Sequence, residues 1–233
     1  FHEETAQLVD SELRVYKSRM PDPRIHLAED RRFYYRDHVY SSGNGNAKLA
    51  RAFQREVINH VIPEVQPDLI HCNDWMTGLI PAAARRMGIP CLFTVHNIHT
   101  HKLTLAQVED AGIDAAEFWG NLYYDRPPAD YFSARDTDPI DLQASGIFAA
   151  HFINTVSPTF LTEIVNGWHG FIPDSIRNEI RGKYYAGCAS GILNAPDSSD
   201  NPATDSQIPF RYGPENHAEM KRKKKLCPLS TSD

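Results

Sequence analysis

The sequence predicts an α/β domain, a parallel sheet flanked by helices, on three observations. Short apolar runs at 68–72, 91–96, 152–156 and 189–193 alternate with segments of helical period. The first two runs bracket a helical segment within residues 68–96, the spacing of a β-α-β crossover. Each run closes on a polar cluster: "HCNDW", "HNIHTH", "SPT" and "NAPD". Ligands of an open parallel sheet bind beyond the carboxyl ends of its strands, which is where these clusters fall.

The elements follow in order. Residues 2–19 mix helix formers with a β-like run, Leu13 to Tyr16, and settle on neither state. Residues 20–45 carry Pro21, Pro23, the aromatic cluster Phe33, Tyr34 and Tyr35, and a Ser-Ser-Gly-Asn-Gly turn. From Ala47 to Ile62 the apolar residues Leu49, Ala50, Phe53, Val57, Ile58 and Val61 recur at helical spacing, and Pro63 is expected to stop the helix. After the strand 68–72, residues 77–87 form a helix, with Thr77 as N-cap, Pro81 in its early turns and Gly88 as the C′ residue. The strand 91–96 comes next.

Residues 102–124 read as two short helices split at Gly112-Ile113, residues 125–138 as a loop, and residues 139–151 as a helix. The strand 152–156 leads into a helix opened by Ser157 as cap and Pro158 at its first position. A helix over 173–184 and the strand 189–193 complete the domain, assigned to residues 1–194. Residues 195–233 read as an extended linker and a basic tail disordered by composition, with a helix lacking an apolar face at 215–226.

Bulk composition narrows the partners. Hydrophobic content of 41% and charged content of 23% suit a packed core. The net charge is −6, yet five of the 24 basic residues crowd into 221–225, so the body is acidic and nucleic acid is not the expected partner. Four cysteines without a Cys-x-x-Cys pair do not make a disulfide framework and suit a reduced, cytoplasmic compartment. No apolar run is long enough to predict a membrane span.

Each polar residue at the strand ends has a plain reading beside a chemical one. Asp74 suits a turn before a helix, and His71 and Cys72 suit packing in a buried strand. Ser157 is a cap, since no Gly-x-Ser-x-Gly surrounds it. Asp74 with His96, His99 and His101 could ligate zinc, but their spacing matches no established zinc pattern.

Four motifs then carry a resemblance. "PDLIHCNDWMTGLIPA", "CLFTVHNI", "INTVSPTFLTEI" and "GILNAPDSSDNPATD", spread over residues 67–205, resemble in order the motifs of glycogen and starch synthases. The resemblance implies the N-terminal, acceptor-side half of a two-domain GT-B glycosyltransferase with Rossmann-like domains. It implies transfer of glucose, with retention, from ADP-glucose or UDP-glucose to the 4-hydroxyl of an α-1,4-glucan. No cofactor is implied beyond the nucleotide-sugar substrate. By position, His96 and Asp74 match catalytic residues, and Trp75, Asn97 and Asn194 match substrate-binding ones.

The resemblance also implies a C-terminal domain that this chain lacks, and so little activity in isolation. The sequence departs from the family after His96-Asn97, where "IHTHKLTL" stands in place of a Tyr-Gln-Gly loop, and at "NAPD" in place of "NG(I/V)D". Two other readings stay open: a non-catalytic glucan- or partner-binding domain on the same fold, and a metal-dependent hydrolase using the histidine loop.

Overall fold

The structure is a computed structural model that describes Phe33 and residues 45–99, 101–195 and 201–226. The expectations for 2–32, 34–44, 196–200 and the tail 227–233 lie outside the described residues. The chain divides into two compact units, Phe1–Gly191 and Ile192–Asp233.

The first unit is built on a parallel sheet of four strands, β1 (Ile70–Asn73), β2 (Cys91–Val95), β5 (Phe152–Thr155) and β6 (Ala189–Gly191), in the order β1-β2-β5-β6. This is the predicted sheet. The last strand is shorter than predicted, and Ile192 and Leu193 beyond it are exposed. A separate antiparallel ladder pairs β3 (Lys102–Leu103) with β4 (Ile140–Asp141).

The pleat sorts the strand residues. Cys72, Cys91, Phe93, Val95 and Ile153 are buried in the core, where the helices pack. At its centre runs the helix Leu142–Ala149, buried nearly all round, mostly apolar but with Gln143 and Ser145 buried among its apolar residues. Its Gly146 lies against Phe93 so closely that an added Cβ would meet the ring at 2.4 Å. The alternate positions carry a polar ladder across three strands. His71 Nε2 donates to Thr94 Oγ1 at 2.6 Å, and Thr94 Oγ1 donates to Asn154 Oδ1 at 2.7 Å. His71 is therefore exposed and hydrogen-bonded, not packed in a core, whereas Cys72 is buried as expected.

Several local expectations change for physical reasons. The first helix, Gly45–Glu56, runs through a π turn at Val57–Val61 into Ile62–Val65 and passes Pro63. The π register, in which Ile62 N donates to Val57 O five residues back, accommodates the proline that an unbroken α register would not. The chain leaves the helix at Gln66, with φ 47°.

Residues 125–138 are not all loop. Asp130 and Ser133 form a reciprocal capping box that opens the helix Tyr131–Thr137. The helix expected from 139 starts at Leu142 instead, because Ile140-Asp141 pairs with Lys102-Leu103 and Asp141 then caps. Gly88, with φ 75°, and the Ser157–Pro158 opening behave as expected.

The second unit contains a turn in which the amides of Thr204 and Asp205 donate to the Asn201 carbonyl at 2.9 and 2.8 Å, and a helix, His217–Leu226. No helix among the described residues is long and apolar enough to cross a membrane.

Candidate functional site at the strand ends

Because β1 and β2 are paired neighbours with Asn73 opposite Thr94, their ends deliver Asp74-Trp75 and His96-Asn97 side by side. The backbone turns sharply at Asp74. Its φ of 58° and ψ of 178° lie in a region that glycine alone enters without strain, at a cost on the order of 1–3 kcal/mol for other residues. Hydrogen bonds hold it there. Asp74 N donates to Thr94 O at 3.0 Å, and Asp74 Oδ1 accepts from His96 N at 2.9 Å. Thr77 folds its hydroxyl back to accept from Asn73 N at 3.0 Å.

Thr77 is thus spent on the strand end and does not cap the following helix, Ile80–Arg86. The first turn of that helix is satisfied from elsewhere. Gln54 Oε1, fully buried, accepts from Leu79 N at 2.7 Å, while its Nε2 donates to Ala50 O at 3.1 Å. A lone amide on an otherwise apolar helix stripe is the sequence signal that could have found it.

Asp74, Trp75 and Met76 line a cavity of about 450 Å³ together with Asn97, His99 and His101 from the second loop and Asn46 from the first helix. Of the predicted site residues, Asp74, Trp75 and Asn97 therefore share one cavity. His96 adjoins it through its backbone bond to Asp74, and its exposed ring donates from Nε2 to Asn73 Oδ1 at 3.0 Å. Asn194 is exposed and belongs to the second unit. Met76 and Asn46 were not foreseen. Neither residue type advertises a ligand, and Asn46 arrives from a distant helix.

The departing loop supplies the cavity's other wall. The His101 ring lies 5.3 Å from the Trp75 ring, tilted by 33°. Partial burial first, and the Arg51 guanidinium second, hold its pKa below the ordinary histidine value, so the imidazole against Trp75 is neutral at pH 7. Asn97 Oδ1 accepts from His99 N at 3.2 Å. Among the described residues, no group of three His, Cys, Asp or Glu side chains is arranged to hold a metal ion. The arrangement offers a carboxylate, amides, imidazoles and one indole face, which suits a polyhydroxylated, neutral ligand better than an anion.

Comparison with known proteins gives concordant results. Residues 2–177 match the family described as starch synthase catalytic domain. The glycogen synthase of Cellvibrio japonicus is 30% identical over 222 residues, which span 88% of this chain and 43% of that protein. The glycogen synthase of Vibrio cholerae is 27% identical over 246 residues, spanning 96% and 46%. A solved structure described as the catalytic domain of Starch Synthase IV from Arabidopsis thaliana bound to ADP and acarbose aligns with a TM-score of 0.57 at 21% identity. The alignment covers 85% of this chain and 41% of that one, and shows the shared fold. The chain spans less than half the length of these curated relatives.

Proposed function

The chain belongs to the starch synthase catalytic domain family, and from that membership we propose that it forms the acceptor side of a retaining glucosyltransferase. The donor is ADP-glucose or UDP-glucose and the acceptor an α-1,4-glucan. In the transfer, the bond from glucose C1 to the diphosphate breaks, a bond from C1 to the acceptor 4-oxygen forms, and the proton of the 4-hydroxyl passes to the departing diphosphate.

The observation that carries this reading is Asp74 itself. A non-glycine residue held in a glycine-only conformation at a strand end, beside an indole in a cavity, serves stability poorly. Such strain marks sites whose geometry is kept for another purpose. With Oδ1 engaged by the His96 amide, Oδ2 is the oxygen proposed to accept from sugar hydroxyls. Trp75 offers its ring to the C–H face of a glucose unit.

His96 is proposed to stabilise the oxocarbenium-like transition state at C1 or to orient the sugar's 6-hydroxyl. Asn97 and Asn194 are proposed to bind substrate hydroxyls. His99 and His101, in place of the family's Tyr-Gln-Gly loop, make the acceptor wall particular to this chain.

Calorimetric titration of the chain with maltoheptaose tests the proposal. Binding is expected, and Trp75→Ala and Asp74→Asn should each weaken it about tenfold, or about 1.4 kcal/mol. Parent-like affinity in both variants would move the glucan away from this cavity and sink the reading. Binding of the glucan by a chain that also fails to support transfer in the whole enzyme would favour the non-catalytic alternative on the same fold.

A further inference from the structure

We infer that Gln143 is a positioning residue that fixes the His96–Asn97 loop, and that the first turn of its helix braces both strand-end loops at once. The consequence for glucan binding rests on the acceptor-side reading above; the geometry does not.

Gln143 lies in the first turn of Leu142–Ala149 and is fully buried. Its Nε2 donates to the backbone carbonyl of Asn97 at 3.2 Å, across 46 residues of sequence. The neighbouring amide, Leu142 N, donates to His101 O at 3.0 Å. The loop is thus tied at Asn97 and at His101 by adjacent residues of one helix. The same turn supports the other loop. A Cβ added to Gly78, just after the Trp75–Thr77 turn, would stand 2.0 Å from Leu142 O. The helix is itself held by the Asp141 carboxylate, which accepts from Ala144 N at 2.8 Å.

Stability alone does not account for an amide here. Gln143 Oε1 is the only buried side-chain nitrogen or oxygen among the described residues without a hydrogen-bond partner. One hydrogen bond to a neutral carbonyl returns less than a stranded buried acceptor costs. Leucine or methionine would fill a similar volume without that cost. A residue poorer for stability than its apolar replacements, yet tied to a loop of the candidate site, is placed for the loop.

The test compares Gln143→Leu and Gln143→Glu with the parent chain. The readouts are the thermal midpoint, the ¹H–¹⁵N spectrum without ligand, and the maltoheptaose titration. Gln143→Leu is expected to melt at or above the parent temperature. It should shift the amides of Asn97, Ile98 and His99 and the indole of Trp75, and bind maltoheptaose about tenfold more weakly.

Gln143→Glu keeps a donor only while its carboxyl is protonated. It should show parent-like loop resonances at pH 5 and Leu-like resonances at pH 8, and it carries the test alone if the leucine variant does not fold. Unmoved loop resonances in Gln143→Leu, or in Gln143→Glu across this pH range, overturn the inference. Moved resonances in a parent chain that binds no maltoheptaose would leave the positioning role standing and overturn the acceptor reading.

Discussion

Asp74 and Ser157 occupy equivalent places, each just beyond the carboxyl end of a parallel strand and before a helix, and each is a residue type that caps helices. Ser157 does so. Its backbone is extended, at φ −159° and ψ 131°, and its hydroxyl accepts from Phe160 N at 3.2 Å. Asp74 caps nothing. It sits at φ 58° and gives its carboxylate to the amide of the neighbouring loop. One strand end satisfies every local rule; the other breaks one and keeps the break with hydrogen bonds from two elements. Local rules obeyed mark scaffold, and a rule broken under restraint marks the place where function competes with stability.

The largest expected effect separates the two ends by activity. In the whole enzyme, Asp74→Asn keeps the acceptor for His96 N but removes the charge. Glucosyl transfer should fall by about 10²–10³, the usual consequence of deleting one well-placed polar group at a reacting centre. Ser157→Ala should change transfer less than twofold. Radiolabelled glucose incorporation into glycogen reads both, and comparable losses would erase the distinction. Next in size is Gly78→Ala, which drives a methyl into the Leu142 carbonyl that supports the Asp74 turn. Overpacking against rigid backbone should cost about 3 kcal/mol in denaturant unfolding; a loss below about 1 kcal/mol would mean the two elements part easily.

The strain itself is measurable. Asp74→Ala and Asp74→Gly lose the same carboxylate, but only glycine accepts φ 58° freely. The glycine variant should be the more stable of the two by about 1–2 kcal/mol. Equal stability would show that the turn relaxes and that no strain is stored. At the other end, Ser157→Ala should cost about 1 kcal/mol, the ordinary value of a lost N-cap, with no change in glucan binding.

How much of this was legible in the sequence follows the same division. Ser157-Pro158, Gly88 and the apolar runs at 70–73 and 91–95 obey short-range rules, so the sheet and its crossovers could be read directly. The strand-end placement of Asp74, Trp75, His96 and Asn97 followed from that sheet. What could not be read depends on partners distant in sequence. The Lys102–Leu103 strand exists because Ile140–Asp141 lies beside it. His71 is exposed and tied to Thr94 of the neighbouring strand, a partner 23 residues away. Gln54 caps a helix 25 residues away. The strain at Asp74 was hidden because aspartate before a helix has a commonplace explanation, which only the dihedral angles exclude.

The smallest effect is electrostatic and belongs to the Asp74 side alone. Burial and the Arg51 charge lower the pKa of His101 from its ordinary value near 6.5. The unfolded chain therefore takes up this proton at a higher pH than the folded one. Stability from the neutral imidazole against Trp75 is complete above about pH 6.5 and is lost as pH falls through the lower, folded value. His101→Gln removes the titration. The parent and variant melting temperatures should run parallel above pH 7, and the parent's should fall faster between pH 6.5 and 5. The Ser157 cap involves no titrating group, so Ser157→Ala should lower the melting temperature by the same amount at both ends of that range. A parent and His101→Gln pair that stayed parallel down to pH 5 would show that folding does not lower the pKa of His101.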